Sequence, residues 1–268
     1  MKDIWERKST GDKYCEGVEM MQFTDNYPKN WKDLQDKVAI LMYQAGYHTI
    51  SPCKIETVRG TVEVDVFIES PDPLVGKIVC ECKYWKTRVS QEKVHAFQTV
   101  VHNSGASLGL LISREGFQAG AYEAAKLSNV KLLTWEEFIC LISDKWIINM
   151  LKKIKKDIIP LREYTNHLHF PYENLEKDDK NIYKKLCSKY VELISSCCFL
   201  SKKDLLDDDF INMRFYQGDK FNAIETYLNF LEQEVSSAVN EFEKIIKHSN
   251  IEISPERFDK NDIFTNMF

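Results

Sequence analysis

Glu81 and Lys83 stand two residues apart in KIVCECKYWKTR, residues 77–88. Alternate side chains of a strand share a face, so Glu81, Lys83 and Trp85 would point one way and Cys80 and Cys82 the other. A second acid, Asp65, lies in the apolar run TVEVDVFIE, residues 61–69, on the same face as Glu63. The stretch between the two runs includes SPDPLVG, rich in proline and glycine as a hairpin connection should be. Pairing through that turn would bring Asp65 towards Glu81. Two neighbouring carboxylates repel unless a cation joins them, and a hard divalent ion with oxygen ligands is the usual solution. Lys83 adds a positive donor able to hold a water or a phosphate oxygen. Metal, water and cationic donor together suit in-line attack on a phosphodiester. An acid-x-lysine pattern alone is common on solvated strand faces. Weight comes from two acids on separate apolar strands, at matching parity, behind a helix with an inward Gln35.

The elements that must position these residues follow from periodicity. Residues 31–45, WKDLQDKVAILMYQA, set Trp31, Leu34, Val38, Leu41, Met42 and Ala45 at helical spacing, and Gly46 fits the stop. Gln35 falls on the same stripe, where a polar side chain needs a partner. Strands are expected around residues 48–51, over 61–69 and over 77–85, then a helix over 90–103. LGLLIS (108–113) reads as a short buried strand, 116–128 as a helix, VKLLT (130–134) as another strand, and Trp135 begins a helix. The order α-β-β-β-α-β-α-β predicts a mixed α/β domain. From about residue 144 no strand pattern remains. Helices are predicted over 145–159, 181–200, 202–216 and 220–248, the last with an apolar stripe that suits a core or, less often, a dimer seam.

Composition sets outer bounds. A chain of 268 residues with 44% apolar content can build a substantial core. A formal charge of −5 excludes a generally basic, nucleic-acid-coating protein but leaves room for a local basic cleft. Neither a signal-peptide pattern nor an apolar run of about 18 residues is present, so no membrane association is expected. The eight cysteines form no CxxC pair, and adjacent Cys197 and Cys198 suit buried thiols, which points to a reducing cytoplasm. His167 and His169 lack a matching pair at zinc spacing and are expected in a loop.

The run NWKDLQDKVAILMYQAGYHT…VEVDVFIE…KIVCECKYWKTRV…GASLGLLISREGFQAGAYEAAKLSNVKLLTWEEF resembles the Mrr-like branch of the restriction-endonuclease fold, the PD-(D/E)xK nuclease superfamily, over about residues 30–140. The resemblance implies an α/β fold with a restriction-endonuclease-like mixed sheet flanked by helices, followed here by an α-helical C-terminal region. It implies that Asp65 and Glu81 bind Mg²⁺ or Mn²⁺, with the Cys82 carbonyl as a third ligand, and that Lys83 orients or activates the attacking water. Gln35 matches a position where relatives often carry Glu, and its amide removes one charge. Val64 stands where the superfamily name expects proline. Lys54, Arg59, Lys86 and Arg88, with Lys77 and Lys93, are candidates for a phosphate-contacting rim. The expected organisation is an N-terminal extension (1–29), the nuclease domain (30–144) and a helical oligomerisation or partner-docking domain (145–268).

Three functions are weighed. The first is a Mg²⁺-dependent endonuclease of double-stranded DNA, the effector of a prokaryotic antiphage or antiplasmid defence system. It would be restrained by homo-oligomerisation or by a partner such as an SMC-like ATPase sensor. The second is a repair or junction-processing nuclease. The third is a nuclease-fold scaffold that binds DNA or protein without cutting. Two retained, mutually repelling carboxylates argue against the third.

Overall fold

Asn30 opens the first helix by accepting the Asp33 N–H on its side chain at 2.9 Å. In the computed structural model, which describes residues 23–206 and 221–253, this helix is α1, Trp31–Gln44. It ends at Gly46, whose φ of 89° suits glycine. Gly46 and Tyr47 donate to the carbonyls of Tyr43 and Met42 at 2.9 and 3.1 Å, closing the helix end. Its inward stripe is Leu34, Gln35, Val38, Leu41 and Met42. Trp31, expected on that stripe, is instead 49% exposed.

The chain divides into two compact units, Met1–Asn149 and Met150–Phe268. The first is built on a five-stranded sheet in the order β1-β4-β5-β6-β7. β1 (His48–Ile50), β4 (Val66–Glu69) and β5 (Lys77–Lys83) pair antiparallel, while β6 (Leu108–Ser113) and β7 (Val130–Thr134) continue parallel to β5. The parallel strands are linked by α2 (Gln91–Asn103) and α3 (Ala119–Ala125). A Cβ on Gly109 would lie 2.5 Å from Val101 and 2.9 Å from Phe97, so glycine lets α2 press onto β6. Val79, Leu111, Val94, Phe97, Val101 and Phe117 form the core between sheet and helices.

Three features depart from the expected elements. The run over 61–69 is two strands, because β3 (Gly60–Val64) leaves the main sheet and pairs with β2 (Cys53–Thr57) as a separate hairpin. The break falls at Asp65. β2 was not foreseen, since its mixed burial carries no clear alternation. The helix beginning at Trp135 does not stop near residue 144: α4, Trp135–Asp157, is continuous across the division between the units.

The second unit is helical: α5 (Ile159–Thr165), α6 (Lys177–Phe199), α7 (Lys202–Leu205) and α8 (Ile224–His248). The stripe of α8 is core, with Leu228, Leu231, Val235 and Phe242 buried. Tyr183 packs edge-on against Phe242 at 5.9 Å and donates to the Tyr164 carbonyl at 2.9 Å. The helix expected over 202–216 lies largely outside the described residues, as does the apolar tail at 263–268. His167 and His169 sit in the loop after α5, and no group of three metal-ligating side chains occurs among the described residues. Cys80, Cys82 and Cys197 are buried free thiols, whereas Cys140 is disulfide-bonded, unlike the thiols expected throughout.

The start of α6 is tied to the end of α8. Buried Asp179 accepts from Ser249 Oγ at 2.6 Å and from His248 Nδ1 at 2.7 Å. Ser249 and His248 hold the Asp179 carboxyl below its ordinary range, and Asp179 raises the His248 imidazole above 6.5. The raised histidine contributes stability that is fully present below its unfolded pKa and lost as pH rises through its folded pKa. The lowered aspartate contributes stability above 3.8 that is lost as pH falls through its folded pKa. We therefore expect thermal unfolding of the chain to be later at mildly acidic than at alkaline pH, and His248→Ala to remove that difference. An unchanged pH profile in His248→Ala would show the contact is idle.

Candidate active site

β4 and β5 pair with Val66 opposite Cys80. Asp65 stands one residue before β4, and its carboxylate reaches across to the β5 main chain next to Glu81. The turn expected between them closes as a hairpin, with Ser70 N–H donating to Gly76 O at 3.0 Å. Asp65 is held from several sides. Its Oδ2 accepts the Cys82 N–H at 2.6 Å. Its main-chain carbonyl accepts Gln35 Nε2 at 2.7 Å and Ser51 Oγ at 2.9 Å. Gln35 is 1% exposed, so its partner is the peptide that carries the acid. It acts as a positioning residue here, anchoring the point where β3 turns away.

Glu81 pairs with Lys83, whose ammonium donates to Glu81 Oε1. Their side chains are 25% and 20% exposed, so they lie at a partly open surface. Burial pushes the Asp65 carboxyl up, the Cys82 N–H opposes this, and the Glu81 charge adds to the rise. Burial likewise holds the Cys80 and Cys82 thiols well above the ordinary range. Those sulfurs are inert; what Cys82 offers the site is main chain.

Two neighbours escaped sequence reasoning. The Trp31 side chain opposes the rise of the Asp65 carboxyl, as its least contribution, and the ring lies outside the apolar stripe. Trp85 is 39% exposed, with Lys83 Nζ 5.2 Å from its ring centroid. A tryptophan at the first helical position and another two residues past a reactive lysine were the available signals. Ser51 was also missed, being short and far away in sequence.

The basic candidates divide. Lys86 and Arg88 lie in the loop leaving β5, at the same edge as Lys83. Lys54 pairs with Glu63, two residues before Asp65. Arg59 is not brought there. Its neighbour Val58 donates to Asn103 O at 3.1 Å, at the far end of α2, where Val101 meets the start of β6. Lys77 begins β5 opposite Glu69, about 20 Å of strand away from Lys83. Lys93 is exposed on the first turn of α2. Gln98 donates to Ala124 O at 2.8 Å, a packing contact. Ser113 Oγ closes a turn onto Gly116 O at 3.0 Å, and Arg114 stacks 4.8 Å over Tyr84.

A mixed five-stranded sheet flanked by helices, with an acid entering β4 and an acid and lysine leaving β5, is a restriction-endonuclease-like nuclease fold. Residues 29–142 match the family model of the Mrr catalytic domain, described as a restriction endonuclease. No curated protein matches the chain. Among solved structures it is similar to a protein of unknown function, AF1548, at 14% identity and a TM-score of 0.37, covering 82% of this chain and 100% of the other. The segment 29–142 is thus a DNA nuclease domain. No helix among the described residues is long and apolar enough to cross a membrane.

Proposed function

We propose that the chain is a Mg²⁺- or Mn²⁺-dependent endonuclease of double-stranded DNA, with Asp65, Glu81 and Lys83 as its working groups. The observation that carries this reading is the Asp65 carboxylate seated on the Cys82 N–H at 2.6 Å, beside Glu81 and its partner Lys83, within the segment that matches a restriction endonuclease. The residues fit a hard cation: two carboxylates converge, and Asp65 is already pushed towards protonation by burial and by its neighbour's charge. Asp65, Glu81 and the Cys82 carbonyl would hold the ion. When bound, it would neutralise charge on the phosphodiester and acidify water. Lys83 orients the attacking water and steadies a phosphate oxygen. Gln35 and Ser51 fix the peptide of Asp65, and the Cys82 N–H fixes the rotation of its carboxylate. Lys86, Arg88 and Lys54 are the nearest candidates for phosphate contacts; Arg59 and Lys77 are too distant to serve the same strand.

The biological setting we favour is defence against phage or plasmid DNA in a prokaryotic cytoplasm. The helical unit would restrain the nuclease through oligomerisation or through a partner such as an SMC-like ATPase sensor. An unrestrained nuclease of low specificity would damage its host, which is the reason to expect control.

The test is conversion of supercoiled plasmid and linear duplex with Mg²⁺ or Mn²⁺, beside Glu81→Gln and Lys83→Ala. Metal-dependent cutting reduced at least about 100-fold in both variants is expected. Cutting that survives both substitutions would place the chemistry elsewhere. A silent wild-type chain that is awakened by co-expressed neighbouring gene products would identify the restraint.

A further inference from the structure

Four tryptophans fall among the described residues. Trp135 and Trp146 are 5% and 0% exposed, whereas Trp31 and Trp85 are 49% and 39% exposed. Lys83 Nζ lies 5.2 Å from the Trp85 ring centroid, and Trp31 opens the helix whose Gln35 binds the Asp65 carbonyl, so both exposed rings belong to elements that form the proposed site. Tryptophan is ordinarily a highly buried side chain, so two open rings at one place call for an occupant. The enzyme's substrate is a chain of phosphates and bases. Phosphates bind cations and N–H donors, not the face of an indole. The faces of bases do stack on indoles, but in a regular duplex they are covered by neighbouring base pairs.

We propose that Trp31 and Trp85 form a stacking platform for unpaired bases, so that the preferred substrate is DNA unwound or distorted at the cut rather than regular duplex. This rests on the nuclease reading above and narrows its substrate class. Trp85 follows the strand that carries Glu81 and Lys83, and Trp31 meets Asp65 from the start of α1. Bases held on these rings would flank the phosphate presented to the acids.

The experiment measures binding and cutting separately. Fluorescein-labelled hairpins, one fully paired and one with a bubble of unpaired thymidines, are titrated by anisotropy in EDTA, then cleaved with Mn²⁺. Wild type should bind the bubble about 5- to 150-fold more tightly than the paired hairpin. Trp85→Ala should erase most of that ratio and Trp85→Phe should keep it. Trp31→Phe should keep the binding ratio, since an aromatic ring remains. Lys86→Ala should weaken both hairpins alike. A wild-type ratio near one, or equal weakening of both hairpins by Trp85→Ala, overturns the platform. Cutting without bubble preference defeats this proposal alone; bubble preference with no cutting under any metal, even beside co-expressed neighbouring gene products, defeats the nuclease reading and leaves the platform standing.

Discussion

Asp65→Asn is expected to abolish cleavage while leaving the protein at least as stable as wild type. On the proposed function Asp65 supplies one of the two charges that would hold the cation, and a fall of about 100- to 1,000-fold is the expected scale. The stability half follows from the sign of the Asp65 shift. A carboxyl whose pKa is raised by burial binds its proton more tightly folded than unfolded. Ionised Asp65 therefore subtracts stability at neutral pH, and that penalty fades as pH falls through its folded value. Asparagine keeps an oxygen for the Cys82 N–H and leaves the main-chain bonds from Gln35 and Ser51 untouched, but it removes repulsion from Glu81. Melting curves of both proteins at neutral pH decide the matter. A midpoint several degrees below wild type would mean that the bonds of the charged carboxylate outweigh its repulsion.

Trp146→Ala should cost about 3–5 kcal/mol. Trp146 is 0% exposed. It meets Phe23 edge-on at 5.1 Å, and its Nε1 donates to Gln44 Oε1 at 2.9 Å. Asn149 Nδ2 adds a bond to the Gln44 carbonyl at 2.7 Å. These contacts secure the C-terminal end of α1, whose other end presents Trp31 and whose middle supplies Gln35. Midpoint temperature should fall by roughly 10 °C, with plasmid cleavage lost in parallel on heating. Trp146→Phe should recover much of the packing but not the hydrogen bond. A chain ended at residue 144 should fail as the alanine variant does, and one ended at residue 157 should not. Equal melting of all four would show that α4 adds nothing to the first unit.

What was legible in the sequence and what was not can be traced to particular residues. LGLLIS and VKLLT became β6 and β7 with the expected bounds, because buried parallel strands are short apolar runs and little else resembles them. The antiparallel pairing that carries Asp65 towards β5 was legible from parity plus turn length, both of which are local. The break at Asp65 was hidden, since Val62, Val64, Val66 and Ile68 keep alternating straight through it. What bends the chain there is the pair of side chains on the Asp65 carbonyl, and Gln35 and Ser51 reach it across long separations. Arg59 was placed wrongly for the same reason, because a hairpin that leaves the sheet carries its tip away from the acids. Trp31 was misplaced because helical spacing cannot reveal that the first residue of a helix lies past the edge of the sheet it packs on, where its ring is 49% exposed. Continuity of α4 was missed because a change in composition near residue 144 was taken for a boundary, although no glycine or proline interrupts the helix.

The position of Trp146 and Asn149 also bears on how the protein is born. Asp65, Glu81 and Lys83 leave the ribosome early, yet β6, β7 and the first half of α4 are all made afterwards. At ordinary rates of synthesis the interval between Lys83 and Asn149 lasts roughly 3–13 s. Throughout it the nascent chain holds its reactive residues without the sheet and helix that gather them. A fragment released by premature termination in that interval would carry the whole motif without its frame, so on the proposed function cleavage is expected only after β6, β7 and α4 have emerged.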